Sequence, residues 1–110
     1  MEKERLAEYL ERYHLGANSA ATSRELELTF GIKGIEVRHL VNQLRRDGVP
    51  IASSGSGYYY AVTEQEVRAT IARLTRRIGG IAAAIHGLNR SLERFDTGQI
   101  RLPLDGGDGS

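Results

Sequence analysis

The run TSRELELTFGIKGIEVRHLVNQLRRDGVPIASSGSGYYYAV, residues 22–62, changes periodicity three times, and those changes decide the fold. Thr22-Ser23-Arg24-Glu25 places a hydroxyl three residues before a carboxylate, the pattern of a reciprocal helix cap. It predicts a short helix that carries Leu26 and ends near Phe30, with Gly31-Ile32-Lys33-Gly34 as the break. From about Gly34 to Asp47, Val37, Leu40, Val41 and Leu44 recur at helical spacing until Gly48 stops them. Val49-Pro50-Ile51-Ala52 and Gly57 to Val62 then read as two short strands around Ser53-Ser54-Gly55-Ser56, a hairpin with a small neutral tip. Pro50 has no N–H to donate and belongs at a strand start or on an edge. Alternation along the second strand predicts Tyr58 and Tyr60 over the core and Tyr59 facing out.

Upstream, Glu2 to Tyr13 reads as a helix with Leu6, Leu10 and Tyr13 on one stripe, ended by Leu15-Gly16. Ala17 to Ala21 is a short polar connection. Downstream, Thr63-Glu64-Gln65-Glu66 repeats the capping pattern and opens the most regular stretch of the chain. Val67, Ile71, Leu74, Ile78, Ile81, Ile85, Leu88, Leu92 and Phe95 alternate spacings of four and three, a coiled-coil seam with Ile71, Ile78, Ile85 and Leu92 at the a positions. A helix from Glu64 to Phe95 would be roughly 50 Å long at about 1.5 Å per residue. The expected fold is mainly α with one small β-hairpin. It divides into residues 1–62, a heptad-patterned helix over 63–95, and a glycine-rich tail over 96–110 that is expected to be disordered.

A helix of that length exceeds what about 60 residues of globular chain can cover. The nine seam residues are therefore expected to form a homodimer interface. Gly79, Gly80 and Gly87 each cost about 1 kcal/mol relative to Ala inside a helix. With Ala82, Ala83 and Ala84 they leave a narrow waist, which fits either a close crossing of two helices or a kink.

Composition bounds the chemistry. The 110 residues are 40% hydrophobic and 26% charged, with no cysteine and a net charge of +1. Absence of cysteine excludes disulfides, thiolate metal sites and a Cys nucleophile. Without a long apolar run or a signal-peptide core, a cytoplasmic protein with no membrane partner is expected. His14, His39 and His86 share no metal-ligand spacing, so no metal and no cofactor is expected. Gly55-Ser56-Gly57 lies in a hairpin and is no nucleophile elbow, and the Gly31–Gly34 turn lacks the Lys-Ser/Thr ending of a phosphate loop. No catalytic residue is assigned, and the protein is not expected to be an enzyme.

Charge is unevenly placed. Residues 1–31 hold four basic and six acidic side chains, residues 32–62 four and two, and residues 63–95 six and three. The positive balance therefore falls on the middle of the chain and the long helix, a weak electrostatic footprint for nucleic acid. Two short helices joined at Gly31 make a helix-turn-helix unit, and a hairpin directly behind its second helix is a wing. On that second helix, the face opposite the apolar stripe carries Ile35, Arg38, His39, Asn42 and Arg46, with Gln43 at its margin and Lys33 at its approach. Arg reads guanine and Asn or Gln reads adenine in a major groove that admits one helix. Lys33, Arg38, His39, Asn42 and Gln43 are thus candidate groove contacts on double-stranded DNA. Arg45, Arg46, Ser23 and Arg24 are candidate phosphate contacts.

The segments Ala21-Thr22-Ser23-Arg24-Glu25-Leu26, Phe30-Gly31-Ile32, Val37-Arg38, Leu44-Arg45-Arg46-Asp47-Gly48-Val49-Pro50-Ile51 and Gly57-Tyr58-Tyr59 together resemble a known family. They look like the winged helix of the biotin-operon-repressor type, and like small winged-helix proteins of phages and mobile elements of Gram-positive bacteria. The resemblance covers about residues 5–62 and implies DNA binding and transcription regulation. No ligase domain follows, so no ligase activity is implied. Lys33-Gly34 stands where the family often has a capping Ser or Thr, and the wing tip lacks a basic or bulky residue. The implied function is a dimeric, sequence-specific transcriptional regulator of phage or mobile-element origin. The alternative is a protein–protein interaction module, a small phage accessory or inhibitor protein that uses the winged helix as a scaffold.

Overall fold

The computed structural model describes residues 2–95. Helix α1 (Glu2–Tyr13) leads through a 3-10 turn (Ala17–Ser19) to α2 (Ser23–Phe30) and α3 (Gly34–Arg46). Strands β1 (Ile51–Ser54) and β2 (Gly57–Tyr60) form an antiparallel hairpin that pairs Ile51 with Tyr60 and Ser54 with Gly57. Helix α4 (Glu64–Ser91) follows and ends in a 3-10 turn (Leu92–Phe95). The fold is mainly α with one small hairpin and a long last helix, as expected. Its helix and hairpin order is compatible with a winged helix-turn-helix. The tail over 96–110 lies outside the described residues. The chain divides into two compact units, Met1–Arg73 and Leu74–Ser110.

In the N-terminal unit, helical spacing turns sequence into core. Leu6 and Leu10 of α1, Leu26 of α2, and Val37, Val41 and Leu44 of α3 converge with Ala21 and Ile51, all nearly fully buried. Burying each of the larger side chains contributes roughly 1.5–3 kcal/mol. Tyr13, expected on the buried stripe of α1, is instead 60% exposed. The helix ends there, and the Tyr13 ring packs against the half-buried Tyr9 at 5.1 Å between centroids, tilted by 51°.

Both predicted caps form. The Thr22 hydroxyl accepts the Glu25 N–H at 3.1 Å, and the Glu25 carboxylate accepts the Thr22 N–H at 2.8 Å. At α4, Thr63 Oγ1 accepts the Glu66 N–H at 3.1 Å, while Glu66 Oε1 accepts the N–H groups of Val62 and Thr63 at 2.7 and 3.3 Å. The second oxygen of Glu66 accepts the Ala17 N–H at 3.0 Å. One carboxylate thus caps α4 and holds the α1–α2 connection. Lys33 has no acceptor with which to cap α3. There Glu36 supplies the acceptor, taking the Lys33 N–H at 3.0 Å.

The hairpin is shorter at its tip than the sequence suggests, because Ser53 and Ser54 belong to β1 and only Gly55-Ser56 turns. Strand β2 is also paired on its far edge. The N–H of Gly16 bonds Tyr60 O at 2.8 Å and the N–H of Tyr60 bonds His14 O at 2.9 Å. Ala21 and Tyr58 exchange two further bonds, at 2.7 and 2.8 Å. Gly57 lies where this strand-like segment approaches, with φ +127°, and a Cβ there would stand 2.1 Å from Ala21 O.

The expectation that Tyr59 faces outward is overturned, since it is only 3% exposed. Tyr58 and Tyr60 do pack on the core, but the other hairpin face is covered too. The start of α4 lies on it: Thr70 Oγ1 accepts the Ser53 N–H at 3.1 Å and donates to Glu66 O at 3.1 Å. Thr70, Ala52 and Tyr59 are all buried. Burial, together with the nearby Glu66 charge, raises the Tyr59 pKa.

In α4, Gly79 and Gly80 lie inside the helix, with open space where a Cβ would be. Val67 and Leu74 are half-buried. Ile71, Ile78, Ile81, Ile85, Leu88, Leu92 and Phe95 are 55–72% exposed.

Two outcomes follow for stability. Gly57→Ala combines a positive φ with a backbone collision, and is expected to destabilise by about 3 kcal/mol or more, read from urea midpoints. The backbone N–H groups of Val62 and Ala17 lower the Glu66 pKa from its ordinary 4.5. A lowered folded-state pKa stabilises above the unfolded value and loses that contribution as pH falls through the folded one. The melting temperature should therefore fall more steeply below about pH 4.5 in the wild type than in Glu66→Gln.

Candidate nucleic-acid interface

Helix α3 divides its side chains by face. Val37, Val41 and Leu44 are buried and Leu40 is half-buried. Ile35, Arg38, His39, Asn42 and Arg46 are exposed. Ile35, Arg38, His39 and Asn42 stand at i, i+3, i+4 and i+7, which places them along one side over about 10 Å of helix axis. Beyond Glu36, which is committed to the Lys33 N–H, α3 carries no carboxylate.

Commitment to internal bonds separates the candidates further. Among the described residues, the side chains of Arg38, Asn42, Arg46 and Lys33 make no hydrogen bond or ion pair. Gln43 Nε2 lies 3.5 Å from His39 Nε2. Arg45, assigned from the sequence to phosphate, is half-buried, and its Nε donates to Ile51 O at 2.8 Å. Its Nη2 donates to Ser53 Oγ at 3.1 Å, so Arg45 staples α3 to β1. Ser23 Oγ donates to Glu27 Oε2 at 3.0 Å, and Arg24 stands 3.9 Å from the same carboxylate group.

That Glu27 carboxylate lies beside the start of α3: a Cβ on Gly34 would come within 2.9 Å of Glu27 Oε2, the mobile end of its side chain. Behind its apolar face, α3 is held at two further places: Asp47 through a 2.7 Å ion pair to Lys3 of α1, and Arg45 against β1. Bonding to Asp47 raises the Lys3 pKa.

Sequence reasoning placed the exposed face of α3 but did not separate Arg45 from Arg46. Arg45 stands one residue beyond the buried Leu44, at the edge of the core face, and only the position of β1 gives its guanidinium two acceptors. Ile35, expected on the same face, is 66% exposed there.

Among the described residues, no group of three His, Asp or Glu side chains could hold a metal ion. No helix among them is long and apolar enough to cross a membrane. A shallow cleft of about 300 Å³ opens between α1 and the end of α2, around Tyr9, Tyr13 and Phe30. Arg5 lies over the Phe30 ring at 5.7 Å and Arg12 over the Tyr13 ring at 5.9 Å, so both guanidinium groups pack on its aromatic wall. None of its lining residues belongs to α3. Comparison of the chain with protein-family models, with curated proteins and with solved structures finds no match.

Proposed function

We propose that this chain is a sequence-specific DNA-binding protein, a dimeric transcriptional regulator of phage or mobile-element origin. The observation that carries the reading is the outer face of α3, where Arg38, His39 and Asn42 are exposed on a helix held rigidly from behind. These side chains are donors, they are spent on no internal bond apart from the His39–Gln43 contact, and they follow a helix-turn-helix connection. A helix of this kind enters the major groove with its N-terminal part reading base edges. Arg46 and Arg24, near the ends of α3 and α2, suit phosphate contacts, and Arg45 acts through the placement of α3.

The wing adds hydroxyls and backbone N–H groups at Gly55-Ser56 but no charge, so a single copy binds weakly and with marked salt dependence. The partner that remedies this is a second copy, paired through the seam of α4. Seven large apolar side chains per copy are more than half exposed. Burying each contributes roughly 1–2 kcal/mol, on the order of 20 kcal/mol for two copies. Association costs roughly 4–15 kcal/mol, so burial wins. A twofold dimer would present two α3 helices to half-sites about 34 Å apart, which implies a palindromic operator.

The double variant Arg38→Ala/Asn42→Ala is expected to keep its circular dichroism and melting temperature. Its affinity for the upstream region of its own gene should fall by about 30-fold or more, towards that for scrambled DNA, in a titration at several salt concentrations. Wild-type protein that binds both DNAs equally, with binding that vanishes in salt, would remove the regulator reading. Ile78→Glu/Ile81→Glu is expected to sediment as a monomer and to bind the same DNA more weakly than the wild type. Variant and wild type of equal mass in solution would remove the seam as the dimer interface.

A further inference from the structure

Ile35 is an anomaly on the face it occupies. It is 66% exposed, a β-branched aliphatic side chain in the first turn of α3, and its near neighbours on that face are Arg38, His39 and Asn42. It takes no part in the hydrophobic cluster that holds the helix, which uses Val37, Val41 and Leu44 from the opposite side. Leu28 is also exposed, but it belongs to α2. An isoleucine in water forgoes the stabilisation that burial would bring, and nothing within the N-terminal unit recovers it.

The surroundings of Ile35 narrow what could cover it. A protein partner or a membrane would ask for a contiguous apolar patch, yet the side chains that follow Ile35 along this face of α3, Arg38, His39 and Asn42, are polar. The matching surface must therefore be polar throughout with one small apolar group in it. The major groove of DNA has that composition: base edges offer donors and acceptors, and the C5 methyl of thymine is its apolar element. Resting on the DNA-binding reading above, we infer that Ile35 is a specificity-determining residue that packs on a thymine methyl. Arg38 and Asn42 lie about 4.5 Å and 10.5 Å further along the helix axis, one and about three base-pair rises of 3.4 Å. The thymine thus lies at one end of the half-site, next to the base pair that Arg38 contacts. Glu36, the one carboxylate of α3, is held away by the Lys33 N–H.

The test removes the methyl and nothing else. Wild-type protein selects duplexes from a random-sequence pool, and each thymine of the enriched half-site is then replaced in turn by deoxyuridine, which pairs identically. One position in each half-site is expected to lose about fourfold in affinity, the value of one buried methyl group at about 0.8 kcal/mol. Ile35→Ala should bind the thymine duplex about as weakly as the wild type binds the uracil duplex, and should ignore the replacement. Ile35→Val should keep part of the sensitivity, and both variants should melt as the wild type does. Equal binding of wild type to thymine and uracil duplexes at every position, with Arg38→Ala still impaired, would overturn the role of Ile35 and leave the DNA reading standing. The same holds if Ile35→Ala retains the wild-type sensitivity. A pool that yields no enriched sequence would overturn both.

Discussion

Strand β2 hydrogen-bonds along both edges, to β1 on one side and to His14, Gly16 and Ala21 on the other. The second set of bonds is possible because Gly57 has no Cβ, so the backbone of Ala21 can lie against it. That close approach ties together the end of α1, the start of α2 and the hairpin. Sequence-distant segments are thus joined by main-chain bonds whose geometry tolerates little slip. Tyr58 and Tyr60 then point to the helical core, and Ala52 and Tyr59 point to the opposite face. A hairpin this short would be marginal alone; here both faces and both strands have partners.

The position of α3 depends on this frame. Its apolar face is spent on the core and its C-terminal end is tied to α1 by the Lys3–Asp47 pair, while Arg45 reaches the carbonyl of Ile51 and the hydroxyl of Ser53. Adjacent arginines therefore have different work: Arg45 is a fixture of the scaffold, and Arg46 remains exposed. A recognition surface needs side chains that are free on a backbone that is not. The outer face of α3 meets that requirement through an isoleucine, donors and an imidazole, which is the basis for reading it as a groove-contacting surface.

Glu66 links the frame to α4. A single half-buried carboxylate accepts three N–H groups from the approach to its own helix and from the 3-10 turn after α1. Those bonds, with Thr70 on Ser53, bring the start of α4 over the second face of the hairpin. From Ile78 to Phe95 the apolar seam residues are mostly exposed, while Gly79 and Gly80 each weaken the helix by about 1 kcal/mol. A long helix with an unsatisfied stripe and two internal glycines draws much of its stability from packing rather than from propensity. That is the physical ground for the proposal that the stripe pairs with a second copy.

What the sequence determined by itself was local and periodic. The caps at Thr22 and Thr63 form as their spacing requires, because each needs only residues three positions apart. The core stripes of Leu6 and Leu10 and of Val37, Val41 and Leu44 follow from the 3.6-residue repeat, and the hairpin follows from its glycines and tyrosines. What only the tertiary structure decided concerned groups whose partners are remote in sequence. Alternation put Tyr59 on the far side of the strand, but its burial depends on α4 returning over that side. The pairing of β2 with residues 14–21, the second role of Glu66, and the capture of Arg45 by β1 likewise depend on where distant backbone comes to rest. Periodicity reports which face of an element is apolar. It does not report what will be laid against the other face, because that is set by chain connectivity and by the few places, such as Gly57, where two backbones can come close enough to bond.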